Sequence, residues 1–529
     1  MYLEQLLHAL ITFRNGKATR FGHQPDFTRR VNVPRAILKP RFTKIFLPSS
    51  VPSRNPGTAD IVGFGPNGVT IVRNRINPQE QLVSSAFGTD SGWRNDRHVR
   101  LLADTTGNGA ADLVGFADDG VYIAVNKGNN AFEKPKKVIS DFGFAAGNWT
   151  VESHIRYMAD LRHNGRADIV GFGNAGVFVS LNNGDGTFSA SNLVLKEFGN
   201  NPWKISMHLR LLADTTGNGL LDIVGFGNDN IYVAYNKGDG TFKPSKVVLR
   251  NFCYNQGWRV DEHPRYLADL TGDGKVDIIG FGNDGVYVSL NKGDGTFDAP
   301  KRVIENFSKN QGWQSDKHVR TVGDVTGDGR ADVVGFGQSG VYVSTNNGDG
   351  TFVAPKLVVN QFAYDQTWRV DKHLRFLADM TGNGRVDIVG FGTNAVYVGY
   401  NNGNWGFSSP VGIASGFGSD TPGCFFSPRH PPTAPINNGD GTFQPQKVVL
   451  QQFAYDDTWR VEKHLRFLAD MTGNGKADIV GFGTNAVYVG YNDGNGGFAK
   501  AVVIASGFGS DTDGWSIDKA VKYAANLYH

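Results

Sequence analysis

Between residues 263 and 307 apolar and polar positions alternate in short runs, broken by Gly, Asn and Asp. Residues 263–269 predict a first strand. A tight loop leads to a second over 277–282, Asp-Ile-Ile-Gly-Phe-Gly. An Asn283-Asp284-Gly285 turn opens a third, residues 286–290, where the period of two is plain. Residues 291–297, Asn-Lys-Gly-Asp-Gly-Thr-Phe, have hairpin-turn chemistry, and 301–307 close the unit as a fourth strand.

This unit recurs. The Asp that opens its Gly-containing loop falls at 104, 160, 214, 269, 324, 379 and 470, a spacing of 54 to 56 residues until a final step of 91. Four antiparallel strands per unit of that length make one propeller blade, so the predicted fold class is all-β, a β-propeller of four-stranded blades. The chain ends predict closure of the ring: residues 57–65 enter a unit at its second strand, and residues 518–527 supply a first strand with no second after it. The Gly-Phe-Gly-type second strand occurs eight times, centred on Phe64, Phe116, Phe172, Phe226, Phe281, Phe336, Phe391 and Phe482. Residues 361–403 and 452–494 are nearly identical, as after a recent duplication. Between them the stretch at about 419–437 is irregular, with five prolines in 422–436 that forbid a ladder. It reads as a blade without its inner strands or an artefact of gene prediction.

Composition agrees: 69 Gly, 12% aromatic and 19% charged residues suit a turn-rich β chain, without the Gly-X-Y period of collagen. No run approaches the ~18 apolar residues of a membrane helix, so membrane insertion is not expected. Two cysteines, Cys253 and Cys424, make no disulfide framework. Residues 1–50 hold nine Lys/Arg and two acids, which leaves the remainder at −4 of the net +3. That mildly acidic body removes the electrostatic case for nucleic acid. The basic head reads as a disordered or artefactual extension ahead of one propeller domain, 51–529, with a polyanion-binding arm as the alternative. No signal peptide is recognisable, which with few cysteines fits a cytoplasmic pool.

Two recurrent constellations carry candidate chemistry. The first is the loop Asp-x-x-x-Asn/Asp-Gly-x-x-Asp, with oxygens at positions 1, 5 and 9, a pattern that suits calcium. Asp269/Asp273/Asp277 and Asp324/Asp328/Asp332 have three carboxylates. Asp104/Asn108/Asp112, Asp214/Asn218/Asp222, Asp379/Asn383/Asp387 and Asp470/Asn474/Asp478 have two. Position 3 is mostly Thr, a weak ligand, and in the Asp160 loop it is Arg162. The same pattern is equally that of an Asx-type turn, in which Asp caps backbone N–H groups.

The second constellation is Trp, then His five positions on, then Arg two further. It occurs as Trp93/His98/Arg100, Trp149/His154/Arg156, Trp203/His208/Arg210, Trp258/His263/Arg265, Trp313/His318/Arg320, Trp368/His373/Arg375 and Trp459/His464/Arg466. Trp515 is followed by neither His nor Arg in that register. The motif spans the crossover from one blade's outer strand to the next blade's inner strand, so it lies at a seam. An aromatic plate with polar neighbours suits a sugar, whose C–H face stacks while its hydroxyls or acetamide take hydrogen bonds, and Arg suits a carboxylate. Packing of Trp between blades, with His and Arg tying the crossover to carbonyls, is the alternative.

Taken together, Gly-Trp-Arg-Val-Asp-x-His-x-Arg, Ala-Asp-x-Thr-Gly-Asp/Asn-Gly, Asp-Ile-Val-Gly-Phe-Gly and Asn-Lys-Gly-Asp-Gly-Thr-Phe resemble the family of the mushroom propeller lectin of Psathyrella velutina. Its relatives carry FG-GAP repeats like those of integrin α-chains. The resemblance covers roughly residues 50–529. It implies seven blades, calcium, and glycan partners ending in N-acetylglucosamine or sialic acid, bound between neighbouring blades. The basic head and the interrupted unit depart from it. The expected function is therefore a multivalent lectin, with an integrin-like adhesion or docking propeller as the alternative. No Gly-x-Ser-x-Gly, His-Glu-x-x-His or Walker loop is present, and every polar cluster repeats where an active site is normally single. A propeller glycosidase or lyase would need one unit to break the pattern with extra acids or His, and 422–436 holds no acid. No catalysis is expected.

Overall fold

The computed structural model describes residues 60–65, 67–72, 80–128, 131–380, 384–392, 396–401, 411–412, 459–460, 463–493, 498–510, 515–516 and 520–525. The basic head and the interruption at 419–437 lie outside them.

Eight antiparallel sheets of four strands are present, each with its strands in sequence order from inner to outer, save the closing one. In one representative blade the strands are Arg265–Ala268, Asp277–Phe281, Val286–Ser289 and Lys301–Ile304. The outer strand is four residues long, begins with charged side chains and meets its neighbour through an irregular register at Val286/Tyr287. Short, charged and bulged edges resist pairing with other chains. In the closing sheet Val521–Ala525 pairs with Asp60–Gly65, Val62 opposite Tyr523, so the two ends of the described chain share one blade.

Each of the eight Gly-Phe second strands has its own sheet, which makes eight blades where the family resemblance implies seven. The 91-residue step crosses a single seam. Asn492 Nδ2 donates to the Met380 carbonyl at 2.7 Å, and one apolar cluster joins Val389 and Phe391 to Leu468 and Ile479.

Eight buried clusters hold the ring, seven of them drawing on the strands of two consecutive blades and one on the last blade with the crossover residues Phe508, Trp515 and Ala520. A sheet buried on both faces reads as a continuous apolar run, which is why Ile-Val-Gly-Phe does not alternate. Past the end of six of the outer strands stands a buried Phe with left-handed backbone: Phe87, Phe142, Phe198, Phe252, Phe307 and Phe362 have φ between 59° and 64°. That conformation is rare for a large residue, and it ends the predicted fourth strand at Ile304, short of Phe307. It throws the ring into the seam and presents the Phe carbonyl to the next blade.

Candidate functional site

The crossover after each Phe builds the site. Following Phe252, a single 3-10 turn, Tyr254–Gln256, ends at Gly257 with φ 87° and delivers Trp258. The indole packs on Phe252 at 4.9 Å between centroids and on Tyr287 of the following blade at 6.1 Å. Beneath it lies Gly280 of that blade's second strand. A Cβ there would stand 2.7 Å from both rings, so the Gly of the Gly-Phe signature makes room for the aromatic pair.

A tight turn then brings the His back. His263 N–H donates to the Arg259 carbonyl at 3.0 Å, and Arg259 N–H donates to His263 Nδ1 at 3.0 Å. With Nδ1 accepting, Nε2 carries the proton and donates to Asn283 Oδ1 at 2.9 Å. The arrangement repeats with Asp118, Asn174, Asn228 and Gln338 as acceptors for His98, His154, His208 and His318. His464 instead meets Ser510 Oγ at 2.9 Å. Burial holds His98, His154, His208, His263 and His318 below the ordinary imidazole range and takes His373 down to about 3. These imidazoles are neutral.

Trp and His open onto cavities at two seams. One, of about 420 Å³, is lined by Glu305, Asn306, Trp313, His318, Gln338 and Tyr342 among others. Another, of about 520 Å³, includes Lys196, Glu197, Trp203, His208, Asn228 and Tyr232. Both take walls from two adjacent blades. The turn residues Asn228 and Gln338 and the third-strand tyrosines were not among the sequence candidates. They recur at the same period, but an Asn-Asp-Gly turn shows no chemistry until the crossover folds over it.

Arg is placed elsewhere. Arg100, Arg156, Arg210, Arg265, Arg320, Arg375 and Arg466 are all at most 5% exposed and absent from the lining of both cavities. Arg265 Nη1 donates to the Phe252 carbonyl at 2.8 Å, and its guanidinium sits 5.7 Å from the centroid of Phe226 in the preceding blade. At the eighth seam Lys522, seven residues after Trp515 and so in the Arg register, lies 5.3 Å from the Phe482 centroid and donates to the Trp515 carbonyl at 2.7 Å. Sequence reading missed this replacement.

The Asp loops, expected as calcium ligands or as Asx-type turns, have the hydrogen bonds of capped turns. Asp269 accepts the N–H of Gly272 and Gly274 at 2.6 and 2.9 Å, Asp273 that of Lys275 at 2.9 Å, and Asp277 those of Leu270 and Asn291 at 2.8 and 2.7 Å. Asp324, Asp328 and Asp332 repeat this pattern with Gly327, Gly329, Arg330, Val325 and Asn346.

The loops with an amide at position 5 are built in the same way. Asn108, Asn218 and Asn474 are exposed, and each caps its own turn. Asn108 Oδ1 accepts the N–H of Ala110 at 3.0 Å, Asn218 Oδ1 that of Leu220 at 2.8 Å, and Asn474 Oδ1 that of Lys476 at 2.8 Å. Each side chain turns back on its own loop because the N–H two residues on is the donor within easiest reach. Their partners Asp104 and Asp112, Asp214 and Asp222, and Asp470 and Asp478 are likewise taken up by backbone N–H groups. So are Asp379 and Asp387, while Asn383 lies outside the described residues.

Six of the position-9 Asp residues anchor an Asn whose amide crosses the seam, as Asn291 Nδ2 does to the Thr215 carbonyl at 2.7 Å. Burial, with a neighbouring carboxylate, pushes Asp277, Asp332 and Asp478 up to about 7. Among the described residues no three His, Cys, Asp or Glu side chains converge as a metal cluster. The donor set as folded does not fit calcium.

The FG-GAP-like repeat family matches residues 269–334 and 324–390. A solved structure concerning specific recognition of non-reducing terminal N-acetylglucosamine by an Agrocybe aegerita lectin is 42% identical to the chain. It covers 89% of this chain and 96% of that one, with a TM-score of 0.62. The Photorhabdus luminescens Tc holotoxin pore is 18% identical over 78% of this chain and 17% of that one, at a TM-score of 0.35, too loose to bear on function. No curated protein matches the chain.

Proposed function

The chain belongs to the family of the Agrocybe aegerita lectin, and from that premise we propose that it is a multivalent lectin taking terminal N-acetylglucosamine in pockets at the blade seams. One observation carries the reading. The two repeated side chains of the motif that face open space, Trp and His, line cavities of about 420 and 520 Å³, a size that suits a small ligand. Trp and the third-strand Tyr offer apolar faces to sugar C–H groups, and Asn228 or Gln338 with the neutral His supplies amide and imidazole hydrogen-bond groups.

Six of the seven motif arginines donate to Phe carbonyls and Arg466 is fully buried against Phe391, so a sialic-acid carboxylate needs another cation. Lys196 stands in the Trp203 cavity, beside Glu197 and Asp229, whereas the Trp313 cavity has Glu305 and neither Lys nor Arg in its lining. Sialic acid is therefore expected at the Trp203 seam first. Calcium has no part in the proposal, since the loop carboxylates already hold N–H groups. Among the described residues no helix is long and apolar enough to cross a membrane.

Isothermal titration with monomeric N-acetylglucosamine, beside a glycan array, tests the reading. More than one site per chain, each weak, and much stronger binding to a dense glycan surface are expected from repeated pockets. No heat and no array signal would remove it, and would favour the docking propeller.

A further inference from the structure

The seams are not chemically equal, and the difference lies in the residue before the left-handed Phe. At three seams that residue is Asp or Asn. A single Oδ1 of Asp141, Asn251 or Asn306 accepts both the Phe N–H and the indole N–H, the latter at 3.1, 3.0 and 2.8 Å from Trp149, Trp258 and Trp313. At three other seams the position holds Ala86, Glu197 or Gln361. Ala has no acceptor. Glu197 is engaged by the Ser245 hydroxyl and N–H. Trp93, Trp203 and Trp368 have no acceptor for the indole N–H among the described residues, and none of these nitrogens is sealed from solvent. The two seam cavities include one of each kind: Trp313, capped by Asn306, and Trp203, uncapped, in the larger.

A donor that stays in contact with water costs nothing to leave without a protein partner, and it is free to pair with a ligand. A donor already satisfied gains little by exchanging one acceptor for another. Resting on the sugar-binding reading, we propose that this position sorts the seam pockets into two classes: those of Trp93, Trp203 and Trp368 hydrogen-bond an acceptor oxygen of the bound glycan through the indole N–H, and those of Trp149, Trp258 and Trp313 bind by stacking and by their remaining polar groups alone. The residue acts by leaving or capping the indole, so it is a positioning residue that sets which repeats are strong. One net hydrogen bond of about 1 kcal/mol corresponds to several-fold in affinity per site.

Nitrogen-15 labelling of the full chain resolves the indole N–H signals, which single Trp→Phe variants assign. On titration with N-acetylglucosamine the Trp93, Trp203 and Trp368 signals are expected to move downfield and exchange more slowly with water, while those of Trp149, Trp258 and Trp313 hold their exchange rates. Glu197→Asn installs the cap and should silence the Trp203 response and weaken that one site several-fold. Asn306→Ala removes a cap and should make Trp313 responsive, so the proposal survives the failure of either variant to fold. Heat of binding with capped and uncapped indoles responding alike, or an Asn306→Ala protein whose Trp313 stays silent, overturns it while leaving the lectin reading intact. No heat and no response at any indole overturns both.

Discussion

Arg265 and Phe252 belong to different blades and are joined by one hydrogen bond, Nη1 to carbonyl at 2.8 Å, which the left-handed backbone of Phe252 makes possible. The same pairing recurs as Arg100 with Phe87, Arg156 with Phe142, Arg210 with Phe198 and Arg375 with Phe362. It is a rivet between blades.

Arg265→Ala should therefore cost about 3 kcal/mol, from a lost charged hydrogen bond and the hole left on Phe226. The denaturant midpoint measures it. The number of N-acetylglucosamine sites in the folded variant should stay unchanged. Loss of a site without loss of stability would return Arg265 to the pocket.

Trp258→Ala removes a ring packed on Phe252, Tyr287 and Gly280, and should cost about 3–5 kcal/mol. His208→Ala should instead take one site from the titration with a smaller stability change. Avidity on a dense glycan surface should fall little, since the other seams remain. Thermal melts and calorimetry on both variants separate packing from binding.

Two sets of groups oppose each other with pH. Buried His373 titrates near 3 in the folded protein but at an ordinary ~6.5 when unfolded, so the unfolded chain gains protons first and stability falls as pH drops from 6.5 towards 3. Asp277, Asp332 and Asp478 titrate near 7 when folded against ~3.9 unfolded, so they stabilise fully below the unfolded value and that contribution is lost as pH rises to 7. A His373→Gln variant that folds should accordingly lose less stability than the parent between pH 6.5 and 4. Melting temperatures across that range test it. Parallel curves would contradict the buried, neutral imidazole.

Millimolar calcium should leave the melting temperature unchanged, because Asp269, Asp273 and Asp277 are already occupied by N–H groups. A calcium-dependent rise that disappears in Asp273→Ala/Asp328→Ala would instead show that these loops rearrange around the ion, since only native-state binding stabilises.

Repeat length, four strands per unit and closure of the ring through Asp60–Gly65 and Val521–Ala525 were all legible along the chain. They follow from local turn chemistry and from burial of every second strand on both faces, which act over a few residues. That Trp, His and Arg recur together was legible too, and so was their place at a seam. Their separate duties were not. Trp203 and His208 face a cavity and Arg210 reaches the Phe198 carbonyl because Phe198 turns left-handed, and no spacing announces a backbone angle. The Asp loops show the same limit: oxygens at positions 1, 5 and 9 suit an ion and a capped turn equally. Only the fold aims Asp269 and Asp277, or the amides of Asn108, Asn218 and Asn474, at N–H groups. Lys522 stands in for Arg, and Asn306 caps Trp313 while Glu197 leaves Trp203 open, because neighbours across a seam, not along the chain, set each side chain's partner.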